Sequence, residues 1–192
     1  TFSVILGFIP AIILTVTARD GLKPNRIIYN ILDFIVNTLR SFPFVILMVI
    51  VVPLTKLIAG KSIGTEAAMV PLTIAAAPFV ARIIESSLRE VDKGVIEAAK
   101  SFGASNMQII FKVMLKEAIP SIVSGITLTI ISIVGYSAMA GAIGGGGLGD
   151  VAIRYGYQRF QTDMMVATCI ILIVIVQALQ ILGNYFYNKL SK

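Results

Sequence analysis

Residues 164–188 read MMVATCIILIVIVQALQILGNYFYN, 25 consecutive residues without a charged side chain. A helix needs about 20 mostly apolar residues to cross the ~30 Å hydrocarbon core of a bilayer. The whole chain has the same character, because 57% of its residues are hydrophobic, only 14% are charged and its mean hydropathy is +0.91. An ordinary globular domain is nearer half apolar and a quarter charged. We therefore expect an all-α integral membrane protein.

Working outward from this run, four more apolar stretches have the length of a span. They fall at 1–18, at about 41–58, at about 65–84 and within 118–149. The stretch 27–40 is apolar at helical spacing but carries two charges, which is typical of an interfacial helix leading into the next span. The sequence predicts five transmembrane helices in a single domain covering 1–192. Because the first span starts at residue 1, we expect the natural N-terminus to lie further upstream.

The basic residues are unequally divided between the two sides of these spans. Twelve Lys and Arg side chains fall in 19–40, 82–117 and 189–192, against four in the remaining connections. Cytoplasmic loops of membrane proteins are enriched in Lys and Arg. The N-terminus is therefore predicted outside and the C-terminus in the cytoplasm. The same distribution explains the net charge of +6. We therefore expect these basic residues to lie beside a lipid bilayer, and we expect no nucleic acid as a partner.

The titratable residues give little support to an enzyme. The chain has no histidine, and its one cysteine, Cys169, lies within an apolar run. No pair of acids falls inside a predicted span, so we expect neither catalytic residues nor a metal site. Four charges, at Arg40, Glu66, Arg82 and Glu85, fall near predicted span ends, where snorkelling to the interface explains them. An ion-driven carrier or a channel remains an alternative, although ion-coupled carriers usually contain buried acids.

The segment 86–120 connects the third and fourth predicted spans and lies on the basic, cytoplasmic side. It is far longer than a connection requires, and its sequence has helix signals. Asp92 is placed to cap a helix over 95–102, and Gly103 suits a left-handed helix stop. This pattern predicts a short, capped helix that projects from the membrane.

A second helix is predicted immediately afterwards. Ser105 and Gln108 have the spacing of a capping box. The pattern therefore predicts two short helices joined by a tight turn. Four apolar residues of the second helix are expected to share one face: Met107, Ile110, Phe111 and Met114.

The sequence EAAKSFG (97–103), between two spans, resembles the E-A-A-x-x-x-G signature of permease subunits of bacterial ABC importers. The resemblance implies that segment 86–120 is a cytoplasmic coupling segment docking in a groove of a separate ATPase. Glu97, Ala98, Ala99 and Gly103 would carry that contact. The other interpretation is an amphipathic loop lying on lipid headgroups.

Four further segments are similar to the methionine-type members of this family: RSFPFVIL (40–47), VPLTIAAAPFVAR (70–82), VGYSAMAGAIGGGGLGD (134–150) and YGYQRF (155–160). The resemblance implies a five-span subunit of the bacterial cytoplasmic (inner) membrane that pairs with a second copy of itself. It also implies two ATPase subunits, which bind ATP and Mg, and an extracytoplasmic methionine-binding protein. No cofactor is expected on this chain. Permeases for quaternary amines such as glycine betaine are the alternative, and GYSAM (135–139) favours methionine.

The segment GYSAMAG (135–141) has the residue sizes of a helix that lines a transport pathway. Gly135 and Ser137 are small enough to allow close helix approach. Met139 is long and flexible, so two copies facing each other across a dimer axis would form an apolar gate. Packing of Met139 against a neighbouring span is an equally open alternative.

The run GAIGGGGLGD (141–150) matches the dinucleotide pattern G-x-G-x-x-G. That pattern indicates a nucleotide site only after a strand in a βαβ unit, and here a membrane span precedes it. The glycines are therefore predicted to end the fourth span and let the chain turn tightly.

Overall fold

A computed structural model describes residues 2–191, without the side chains of residues 142 and 143. Across this range the ordered elements are helices and no strand is formed. The α-helices are α1 (Phe2–Thr17), α2 (Arg26–Ser41), α3 (Phe44–Ile50), α4 (Val52–Ala59), α5 (Thr65–Arg89), α6 (Lys93–Ser101), α7 (Asn106–Gln108), α8 (Leu115–Ala140), α9 (Gly147–Val151) and α10 (Thr162–Leu190). Three segments have π-helical geometry: Ile109–Met114, Gly141–Gly145 and Ala152–Tyr157.

Three helices of the described chain are long and apolar enough to cross a membrane: α5, the continuous helical run Asn106–Ala140, and α10. They match the predicted third, fourth and fifth spans. A fourth candidate is the pair α2 and α3, between which the chain bends by 105°. The predicted spans at 1–18 and 41–58 correspond to α1 and to α3 with α4, and these helices are individually shorter than the membrane-crossing candidates.

One compact unit comprises Thr1–Thr38, Ala77–Ile126 and Gly183–Lys192. In its core, Leu14 of α1 packs with Ile84 and Leu88 of α5 and with Ile109 of the first π-helical segment. The contact between α1 and α5 is close at Gly7, where an added Cβ would lie 2.6 Å from the carbonyl oxygen of Ala77. A small residue is therefore required at this crossing.

The second unit comprises Leu39–Ala76 and Thr127–Leu182. Its core includes Phe44 and Met48 of α3, Ala68 of α5 and Ala140 at the end of α8. The ring of Tyr136 stacks on that of Phe44 with centroids 4.9 Å apart. This unit contains the predicted gate residues.

The glycine run ends α8, as the sequence predicts. The α-helix stops at Ala140, and after the π-helical segment Gly141–Gly145 the chain brings Gly149 of α9 back against Ala138 at the end of α8. A Cβ on Gly149 would collide with the backbone of Ala138, and one on Gly141 with the backbone of Asp150. The glycines at these two positions allow backbone segments to touch, and the run follows a helix, so the dinucleotide pattern has no structural basis here.

Candidate functional site

The helix that carries the EAA sequence is capped at both ends by the predicted residues. The Asp92 side chain accepts a hydrogen bond of 2.6 Å from the backbone N–H of Gly94, which fixes the start of α6. Gly103 adopts a left-handed conformation with φ of 77°, just beyond the helix end. The observed helix, Lys93–Ser101, begins two residues earlier and ends one residue earlier than predicted.

The capping box that opens the next helix is also confirmed. The backbone N–H of Gln108 donates to the Ser105 hydroxyl oxygen at 3.4 Å, and the backbone N–H of Ser105 donates to Oε1 of Gln108 at 2.8 Å. The prediction of a second short helix is wrong, however, because the helical run from Asn106 continues to Ala140. The predicted coupling segment is thus joined directly to a helix that is long and apolar enough to cross a membrane.

The predicted single apolar face of this helix is also wrong. Ile110 and Met114 are buried, whereas Met107 and Phe111 are exposed. The π-helical segment Ile109–Met114 causes the difference, because a π-turn adds a residue per turn and shifts the side chains after it around the axis.

The outer side of α6 presents an apolar stripe to solvent. Val95, Ala98 and Phe102 are spaced three and four residues apart, so they share one helix face, and all three are exposed. Phe102 is the extreme case, with 92% of its surface accessible. Glu97 lies next to this stripe and is also exposed. An exposed apolar stripe with a flanking charge is typical of a protein-binding surface.

The inner side of α6 attaches the helix to its own unit. Ile96 and Ala99 pack against the buried core that contains Leu88 and Ile109. Of the four predicted contact residues, Glu97, Ala98 and Gly103 are exposed, whereas Ala99 is half-buried against the protein itself. Sequence reasoning missed Phe102 and Val95, although their three- and four-residue spacing from Ala98 is visible in the sequence.

A network of charged side chains fixes the end of α5, from which the coupling segment departs. Nη1 of Arg82 donates to Oε2 of Glu85 at 2.6 Å, and Nη2 donates to Oδ1 of Asp33 at 2.5 Å. The hydroxyl of Tyr29 donates to Oε1 of Glu85 at 3.2 Å. Glu85 is only 1% exposed. The expectation that Arg82 and Glu85 snorkel to the interface is therefore wrong, because their charges are paired inside the protein.

The network extends to the turn between α1 and α2. Arg89, in the last turn of α5, lies 3.6 Å from a carboxylate oxygen of Glu85 and 3.2 Å from one of Asp20. At the residue after Arg89, the hydroxyl of Ser121 in α8 donates to the carboxylate of Glu90 at 3.2 Å. The coupling segment is thus tied at both ends to the elements of its unit.

The three predicted gate residues do not lie on one face of α8. Gly135 and Met139 are one helical turn apart and share a face, and Met139 is 48% exposed. Ser137 is also exposed, but it lies about 160° around the helix axis from Met139, because successive residues are rotated by about 100°. The structure therefore brings Gly135 and Met139 together and separates Ser137 from them.

A groove of about 290 Å³ runs beside this face, between α8 and α10. Gly135 and Ala138 line it on α8. Gln177 of α10 is the one polar residue among its lining residues. Within the described residues no group of His, Cys, Asp or Glu side chains is arranged to hold a metal ion.

Residues 3–192 match the family model described as binding-protein-dependent transport system inner membrane component. A probable D-methionine transport system permease protein of Vibrio cholerae is 53% identical over 186 residues, covering 97% of this chain and 83% of the relative. A methionine import system permease protein of Bacillus subtilis is 43% identical, covering 94% of this chain and 81% of the relative.

Among solved structures, the chain is similar to one in a structure of inward-facing conformations of the MetNI methionine ABC transporter. The TM-score is 0.97 at 41% sequence identity, covering 100% of this chain and 88% of the other. The likeness thus extends over segment 86–120 as well as the apolar helices.

Proposed function

This chain belongs to the family of binding-protein-dependent transport system inner membrane components, and we propose that it is the methionine-translocating permease subunit of an ATP-driven ABC importer. Methionine is assigned from relatives that are 53% and 43% identical over nearly the whole chain and are named for methionine transport. The chain itself supplies a membrane pathway and no catalytic residue.

The observation that carries the coupling role is the exposed outer side of α6. The apolar stripe of Val95, Ala98 and Phe102 is exposed to solvent, and Glu97 lies beside it. We assign this surface to the groove of a separate ATPase subunit, which binds the ATP and Mg. The apolar side chains desolvate on docking, and Glu97 offers a charge to a basic residue of the partner.

We assign five crossings to the chain: α1, α3 with α4, α5, α8 and α10. The amphipathic helix α2 lies along the cytoplasmic surface, which agrees with the 105° bend before α3. With twelve basic residues on one side and four on the other, the N-terminal end is outside and the C-terminal end is in the cytoplasm. The exposed side of α8 at Gly135 and Met139 faces a second copy of the chain.

The mechanism is alternating access. Closure of the ATPase dimer on ATP moves the two α6 helices together. α6 packs on the core that contains Leu88 of α5 and Ile109, and the helical run that follows its turn, Asn106–Ala140, includes Met139. A displacement of α6 is therefore passed along this run to the Met139 region. The spans then open outward to an extracytoplasmic binding protein, and hydrolysis returns them to the inward-facing state.

The test is uptake of labelled L- and D-methionine by a strain that lacks its own methionine transporters. The strain expresses this chain with its ATPase and its binding protein, and the control strain lacks only this chain. We expect uptake that methionine competes away and glycine betaine does not. Uptake blocked by glycine betaine would reassign the substrate, and ATP-independent uptake would contradict the importer assignment.

A further inference from the structure

An open cavity of about 660 Å³ lies among the end of α1, the start of α2 and the end of α5. Three arginines line it: Arg19, Arg26 and Arg89. The other lining residues are uncharged: Thr17, Ala18, Pro24, Tyr29 and Asn30. Three arginines and no acidic residue therefore line this one cavity.

Two of these arginines are available to a ligand. Arg89 is engaged by Asp20 and Glu85, at 3.2 and 3.6 Å. Within residues 2–191, the side chains of Arg19 and Arg26 form no ion pair. Arginine stays charged at all physiological pH values and presents a planar fork that suits phosphate oxygens. The uncompensated charge of the cavity thus favours a phosphate-bearing anion.

The surroundings of the cavity suit a ligand that also has an apolar part. Arg26 and Asn30 lie on the polar side of α2. Ile27, Ile31 and Phe34 are exposed on its other side, spaced four and three residues apart. A molecule whose phosphate occupied the cavity could lay hydrocarbon chains along this apolar side. A free phosphate would leave the side uncovered.

We infer that this cavity binds the phosphate group of an anionic phospholipid. Basic pockets between helices at the cytoplasmic side of a membrane are suited to such headgroups. Placement in the cytoplasmic leaflet rests on the proposed orientation, whereas the binding itself is independent of the transported substrate. Because Arg89 also belongs to the Glu85 network, the lipid contacts the elements from which the coupling segment departs.

The experiment uses the full chain with its ATPase, purified in detergent and examined by native mass spectrometry. Phosphatidylglycerol, phosphatidylcholine and inorganic phosphate are added separately. The wild type is expected to retain phosphatidylglycerol in preference to phosphatidylcholine. In the double variant Arg19→Gln/Arg26→Gln, the affinity for phosphatidylglycerol is expected to fall about 25-fold. Each arginine is expected to contribute about fivefold, the value for a basic residue near a membrane surface. Arg89 is left unchanged because it supports the fold.

Lys23→Gln is the matched control, since Lys23 lies in the same connection but does not line the cavity. It should retain phosphatidylglycerol almost as well as the wild type. Arg26→Lys, which keeps the charge and removes the planar fork, should show an intermediate loss without a change in melting temperature. Equal retention by the wild type and the double variant would overturn the proposal. Full displacement of phosphatidylglycerol by inorganic phosphate would also overturn it, because the site would then be one for a soluble anion.

Discussion

Tyr29 and Glu85 are 56 positions apart in the chain, and the hydroxyl of Tyr29 donates a hydrogen bond of 3.2 Å to the buried carboxylate of Glu85. The same carboxylate accepts a hydrogen bond from Arg82 and lies near Arg89. One acid therefore joins α2 to the last turns of α5, and α6 begins four residues after α5 ends. Displacement of α6 acts on elements that this carboxylate holds together.

Substitution of Glu85 by Gln is expected to destabilise the protein and to weaken coupling. The amide keeps the shape but removes the charge that balances Arg82 and Arg89. Loss of one partner of a buried ion pair costs about 3–5 kcal/mol, and we expect about 2 kcal/mol because Arg82 retains Asp33. The measurements are the melting temperature in detergent and the ratio of ATP hydrolysed to methionine transported.

Asp163→Asn is the control, because Asp163 is an exposed acid of α10 and lies outside the coupling segment. It should leave both quantities unchanged. If Glu85→Gln has the wild-type melting temperature and the wild-type ratio, Glu85 does not fix the root of the coupling segment.

The position of Glu85 also shows where sequence reasoning stops. A charge near the end of an apolar run is compatible with snorkelling and with burial, and the choice depends on partners elsewhere in the chain. Asp33 and Tyr29 become partners only when α2 packs beside α5. The signals that predict the structure correctly are local ones: the cap at Asp92, the left-handed Gly103 and the capping box at Ser105.

Substitution of Phe102 by Ala is expected to weaken binding of the ATPase without affecting the fold. The side chain is 92% exposed in the isolated chain, so its removal creates no cavity. An aromatic anchor at a protein interface contributes about 2 kcal/mol or more, which corresponds to about a 30-fold loss of affinity. The measurement is the amount of ATPase that copurifies with the tagged permease at several ATPase concentrations.

Phe160→Ala is the control, since Phe160 is equally exposed and falls on the side assigned to the exterior. It should retain the ATPase. Glu97→Lys should act in the same direction as Phe102→Ala because it reverses the charge beside the stripe. Full retention of the ATPase by both coupling variants would contradict the docking assignment for α6.

The outer and inner sides of α6 differ in how far the sequence predicts them. The helix itself and its limits follow from capping residues and spacing. The inward orientation of Ala99 does not follow from these signals, because it depends on a core formed by α5 and the π-helical segment Ile109–Met114. That segment in turn departs from the regular 3.6-residue period on which face predictions rely.

Substitution of Met139 by Ala is expected to open a leak. Met139 and Gly135 share an exposed face of α8, and shortening the methionine removes the side chain that would close an apolar gate between two copies. The measurement is loss of preloaded labelled methionine from proteoliposomes without ATP. Ile130→Ala, on the opposite side of α8, is the control and should not leak. Tight, fully ATP-coupled vesicles with Met139→Ala would favour simple packing of Met139.

Substitution of Gly149 by Ala is expected to disrupt the turn that follows α8. An added Cβ would meet the carbonyl oxygen and the Cα of Ala138, and these backbone atoms cannot rotate away as a flexible side chain would. We expect a cost of about 3 kcal/mol, the upper end of the usual range for overpacking.

Gly147→Ala, two residues earlier in α9, separates this collision from backbone strain. Its Cβ would enter open space, but its φ of 79° is left-handed, so it should cost only about 1 kcal/mol. The melting temperatures of the two variants in detergent show which substitution destabilises the protein more. A smaller decrease in melting temperature for Gly149→Ala than for Gly147→Ala would mean that the glycine run reverses the chain through its left-handed positions alone. Close packing of α9 on α8 would then not be what requires glycine.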